Sequence, residues 1–178
     1  MTTNNINTKP QEANAEEAAS YVLKHYYKEN ILPINPELVA ENMNIKVFYD
    51  DLSVDGALFK KLNSNPLIYV DNKMPINRQR FTIAHELGHY VDRILNSDIH
   101  YKNQSMDEME FIDKRDSISK QGKDRAEIFA NKFAASLLMP KDEIIKATHQ
   151  KIDVATLASI FNVSTEAMYI RMRNLKLI

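Results

Sequence analysis

Three residues set the chemistry open to this chain. His85, Glu86 and His89 spell His-Glu-x-x-His within Phe81-Thr82-Ile83-Ala84-His85-Glu86-Leu87-Gly88-His89-Tyr90-Val91. On a helix, residues four apart lie one turn above each other, so the two imidazoles can share one metal ion. Glu86 is turned about 100° away at 3.6 residues per turn, and can address a ligand of the metal instead. That division suits zinc hydrolysis: two imidazoles bind the ion, a water on it is the nucleophile, and the carboxylate accepts the water's proton. The competing reading is a chance match or a pair of structural histidines. The flanks favour the metal. Phe81, Ala84, Gly88, Val91 and Leu95 recur at spacings of three and four, which gives the segment an apolar face to bury. Asn77 is the expected N-cap with Pro75 upstream, and Asn96-Ser97-Asp98 is the expected end.

A chain of 178 residues is long enough for one domain with a substantial core. Hydrophobic residues at 44% and charged residues at 26% are ordinary for a globular protein. The net charge of −1 offers no electrostatic argument for nucleic acid or membrane. Cysteine is absent, so disulfides and thiolate zinc sites are excluded and any metal must take nitrogen and oxygen ligands. The N-terminal residues have neither a basic region nor an apolar run, and no stretch reaches the span of a membrane helix. These features lead us to expect a cytoplasmic protein.

The histidines need a scaffold to hold them, and the flanking pattern supplies one. Residues 1–13 are polar and read as a disordered lead. Ala15 to about Glu29 reads as a scaffold helix, and Pro36–Asn42 as a short helix with proline in its first turn. Ile45–Asp50, Gly56–Leu62 and Pro66–Asp71 read as three strands, the last two joined by a turn at Asn63-Ser64-Asn65. Such strands either cover the metal helix or also supply an edge that binds an extended peptide. Residues 97–124 read as a long connection with an apolar patch at Met109, Phe111 and Ile112. His100 and Tyr101 lie in it, either as solvated residues or as oxyanion donors.

Arg125–Leu138 reads as a helix apolar on most sides and therefore buried, stopped by Met139-Pro140. Buried carboxylates are rare unless paired or bound to metal, so Glu127 is the candidate third ligand. Its alternative role is a first-turn charge favoured by the helix dipole. Asn131, one turn on, can hydrogen-bond that carboxylate or a ligand histidine. Other carboxylates fit less well. Asp92 is one turn beyond His89, and three ligands along one straight helix cannot wrap an ion. Asp98, Glu108 and Glu110 lie in the polar connection. Lys141–Ile178 reads as three short helices around 142–148, 154–161 and 165–175. Of these, Leu157–Ser164 with Ala167, Met168 and Ile170 looks like a helix-turn-helix. From Lys151 to the end there are four basic and two acidic residues. That is a small excess for a DNA reader, so a packing module of that shape is preferred.

The blocks Arg80-Phe81-Thr82-Ile83-Ala84-His85-Glu86-Leu87-Gly88-His89 and Glu127-x-x-Ala130-Asn131-x-Phe133-Ala134-Ala135-x-Leu137-Leu138-Met139-Pro140 resemble the ImmA/IrrE family of bacterial metallo-endopeptidases. Phe111-x-x-x-Arg115-Asp116 with Gly122, and Phe161-Asn162-Val163-Ser164 through Arg171-Met172-Arg173, add to the likeness from about Pro36 onward. The resemblance implies that His85, His89 and Glu127 ligate zinc and that Glu86 is the general base. It further implies a zincin-like, thermolysin-like core. The implied substrate is a helix-turn-helix transcriptional repressor encoded nearby, on a mobile element or in a stress regulon. The expected architecture is α+β: a small antiparallel sheet against the His-Glu-x-x-His helix, then a helical tail at 141–178, with residues 14–178 as one metallopeptidase domain. The rival is a repressor- or DNA-binding regulator with a structural metal.

Overall fold

The computed structural model describes residues 13–29, 31–61, 63–96, 111–114 and 125–178. All of the expected lead except Ala13 lies outside them, as do His100, Tyr101, Met109, Arg115, Asp116 and Gly122 in the expected connection. The described elements mix helix and sheet. Helix α1 (Ala15–Tyr26) is capped by Asn14, whose side chain accepts from the Glu16 N–H. Helix α2 (Pro36–Asn42) has proline in its first turn, as the sequence suggests, and Asn35 as its cap. Strands β1 (Lys46–Asp50), β2 (Gly56–Lys60) and β3 (Leu67–Asp71) precede α3 (Ile76–Leu95). Strand β4 (Phe111–Lys114), α4 (Arg125–Leu138), α5 (Lys141–His149), α6 (Val154–Phe161) and α7 (Thr165–Asn174) come after it.

The sheet has the order β1-β3-β2-β4 and is mixed, which corrects the antiparallel expectation. β2 pairs antiparallel with both β3 and β4, while β1 runs parallel to β3. The cause is where β3 lands. Five residues, 51–55, carry the chain from β1 to β2 and can reach across two strand spacings, about 10 Å. That leaves room for the hairpin's return strand to enter between them. β4 comes from the segment read as connection, and its Phe111 and Ile112 belong to the apolar patch noted there. The hairpin turn falls where expected, with Asn63 at φ 55°. Leu62, expected at the end of β2, lies outside the described residues.

The sheet presents Leu58, Ile68 and Val70, all fully buried, as its core face. α3 contributes Ile83, Ala84 and Leu87 to the same core, and α4 adds Phe133, Ala134 and Leu137. α1 seals it with Ala18, Ala19 and Val22. α3 begins after Pro75 rather than at Asn77, and no side chain caps it. Pro75, at ψ 148°, already has the extended backbone of an N-cap, which places Asn77 inside the first turn. Arg80 on α3 donates to the carbonyls of Ile34 (2.7 Å), Asn162 (3.3 Å) and Phe161 (3.5 Å), and so ties the end of α6 to the metal helix. Among the described residues no helix is long and apolar enough to cross a membrane.

Candidate metal centre

α3 and α4 cross at Gly88. A Cβ there would lie 2.8 Å from Ala130 Cα and 3.0 Å from Ala130 O, closer than packed atoms approach. The missing side chain therefore lets the two backbones touch, and this approach carries Glu127, one turn before Ala130 on α4, to the histidines of α3. His85, His89 and Glu127 each offer a ligand atom, all within 4.8 Å of one another, and all three side chains are buried. The His85 and His89 Nε2 atoms are 3.0 Å apart. Glu127 spans them, with Oε2 3.5 Å from His85 Nε2 and Oε1 3.1 Å from His89 Nε2.

The donors suit a cation. Asn131 Oδ1 lies 3.1 Å from His85 Nδ1, and accepting from it selects the tautomer that turns a lone pair on Nε2 toward His89 and Glu127. A single proton at His89 Nε2 cannot serve both His85 Nε2 and Glu127 Oε1 well. A shared cation satisfies all three at once, and two imidazoles with one carboxylate form a set that zinc takes in catalytic sites. Of the two partners expected for Asn131, the Glu127 carboxylate or a histidine, the geometry shows His85.

Glu86 is 1% exposed and sits beside this group on α3. Asp92, the sequence's alternative ligand, lies outside it and accepts from Asn96 Nδ2 at 2.6 Å. Sequence reasoning missed two residues. Gly56, at the start of β2, faces α3 so closely that a Cβ would be 2.3 Å from Thr82 Cγ2, 3.0 Å from Tyr69 O and 3.7 Å from Glu86 Oε1. Thr82 is wholly buried on the turn before Glu86. The one available signal was a glycine inside a strand pattern, which marks close backbone approach.

A sequence profile for peptidase M78, described as the IrrE N-terminal-like domain, matches residues 40–173. No curated protein matches the chain. Among solved structures, a Mycobacterium tuberculosis transcriptional regulator is similar over 85% of this chain, with a TM-score of 0.56 and 20% identity. The similarity covers 44% of that regulator, so this chain spans less than half its length. At such identity the likeness is one of fold.

Proposed function

Because the chain belongs to the IrrE N-terminal-like (peptidase M78) family, we propose that it is a zinc-dependent endopeptidase whose substrate is a helix-turn-helix transcriptional repressor. The observation that carries this reading is the convergence of His85, His89 and Glu127 within 4.8 Å, with Glu86 buried beside them. Zinc, when bound, supplies Lewis acidity that brings the pKa of water from about 16 toward about 7. His85, His89 and Glu127 hold it. Asn131 fixes the His85 ring, so its lone pair points the same way in every turnover. Glu86 takes the proton of the attacking water on a carboxylate oxygen and returns it to the leaving amine as the C–N bond breaks. β2 packs Gly56 against this carboxylate, and β4, outside β2, offers a sheet edge along which an extended peptide can pair. The metal helix, the glutamate helix and the sheet together support a zincin-like core.

The second reading, a regulator that binds DNA through its last helices, draws on the α6–α7 turn. Asp153 and Ser164 cap these helices, and Asn162 ends α6 in the left-handed conformation. The basic footprint is smaller than the sequence suggests, however. Of Lys151, Arg171, Arg173 and Lys176, Arg171 is buried and paired with Glu16, so three remain for phosphate. A structural metal also gains nothing from a buried carboxylate such as Glu86 beside its ligands. We therefore read α6 and α7 as a helix-turn-helix-shaped packing module of a cytoplasmic peptidase.

The test is direct. Zinc-loaded protein should cut a helix-turn-helix repressor encoded beside it and leave casein intact. Glu86→Gln should keep its zinc and lose at least a hundredfold in rate, since an amide cannot accept the proton. Rapid casein digestion would remove the repressor reading, and a Glu86→Gln variant cutting at the wild-type rate would remove the mechanism.

A further inference from the structure

Thr82 Oγ1 is buried and has no hydrogen-bond partner among the described residues. An orphaned hydroxyl inside a core is costly, and a threonine on a helix ordinarily escapes this by bonding the carbonyl a turn earlier. Thr82 precedes Glu86 by four residues and so shares its helix face. Its methyl occupies the side facing Gly56, 2.3 Å from where a Cβ on that glycine would stand, and Glu86 Oε1 lies 3.7 Å from the same point. A step of about 120° about the Cα–Cβ bond, from one staggered position to the next, would bring Oγ1 to the place the methyl holds. Two acceptors border the same space, the carbonyl of Tyr69 at 3.0 Å and Glu86 Oε1 at 3.7 Å from the Gly56 Cβ position.

We propose that Thr82 is a positioning residue for Glu86. Its hydroxyl donates to one carboxylate oxygen and holds the other toward the water, and Gly56 keeps the space in which that bond forms. The inference rests on the peptidase reading above and adds to it a residue that acts through the general base. Hydrogen bonds to charged groups are strong enough that losing this one should lower kcat about tenfold or more.

Thr82→Val keeps the shape and removes the donor, whereas Thr82→Ser keeps the donor. The valine variant should lose about tenfold in kcat at unchanged KM and zinc content, and the serine variant should recover most of it. A purely structural hydroxyl, bonded to Tyr69 O, predicts instead that both variants keep wild-type kcat, and that result would overturn the proposal. A second readout needs no activity. Three-bond couplings from the Thr82 methyl carbon to the backbone nitrogen and carbonyl carbon report its rotamer. In zinc-loaded protein they should show the methyl moved off the Gly56 side, and a methyl that stays on that side would sink the idea. Should the zinc-loaded wild type cut no peptide, the peptidase reading falls, while the couplings still decide whether the Thr82 hydroxyl turns into the space shared with Glu86.

Discussion

Glu127 and Ser136 stand near opposite ends of α4, and each belongs to a polar cluster of a different kind. At the far cluster, Arg171 of α7 meets Glu16 of α1 in a two-pronged ion pair, Nη1 to Oε2 at 2.7 Å and Nη2 to Oε1 at 2.6 Å. Ser136 Oγ donates to the same carboxylate at 2.8 Å, and Arg171 Nε donates to the Met139 carbonyl at 3.1 Å. Donors there meet acceptors, and three helices are joined with no outside help. At the near cluster two imidazole nitrogens and both oxygens of a carboxylate face one another. One arrangement completes itself, and the other is a donor set that a cation would complete. Partial burial in a hydrogen-bonded cluster therefore does not mark a functional carboxylate. What marks it is the chemistry of the groups it faces.

The most direct challenge to this distinction is to disable each cluster in turn and ask what is lost. Glu127→Gln should weaken zinc binding by at least the tenfold to hundredfold typical when even indirect partners of a metal are lost. Metal-free melting should change little. Asp92→Asn should leave zinc affinity as it was. Competition with a chromophoric chelator measures both, and unchanged affinity in Glu127→Gln would transfer the third ligand elsewhere.

The far cluster should respond the other way round. Arg171→Met leaves Glu16 without its cation and strips the Met139 carbonyl of a donor. Breaking a fully buried pair costs about 3–5 kcal/mol, but a third of the Glu16 side chain is exposed, so about 2–3 kcal/mol is expected. That corresponds to a fall in Tm of roughly 4–12 °C for a chain of this size. Zinc affinity should stay within about twofold of wild type, since the ligands are not touched. A variant that lost zinc while keeping its Tm would merge the two clusters into one.

How much of this was legible in the sequence divides along the same line. The His-Glu-x-x-His phase and the apolar helix around Glu127 are local patterns, and helix periodicity makes them readable. Asn131 could be placed because it lies one turn beyond Glu127. The Glu16–Arg171 pair joins residues 155 positions apart, and nothing near either one signals the other. Glu16 looks like a first-turn acid and Arg171 like a last-turn base, both sufficient explanations on dipole grounds. The parallel placement of β1 was hidden for a similar reason, since alternation identifies a strand without naming its neighbour. β4 was missed because four residues are too short a run to show a period.

The mildest effect concerns acid, and it bears on how the self-completing cluster is closed. Burial alone would raise the Glu16 pKa, but hydrogen bonds from Arg171 and Ser136, with the Arg171 charge, outweigh it and hold the carboxyl below its ordinary value of 4.5. A carboxyl depressed on folding contributes stability that is fully present above its unfolded pKa and is lost as pH falls through its folded one. The window therefore lies below about pH 4.5, not near neutrality. The difference in unfolding free energy between wild type and Glu16→Gln, measured in chelator so that zinc plays no part, should be constant from about pH 7 to about pH 5. It should shrink steadily below that, because the wild-type carboxyl then gains the proton that the amide mimics. A difference that instead shrank between about pH 6 and 7 would point to a histidine, and would mean that the Glu16 cluster is not closed by Arg171 and Ser136 alone.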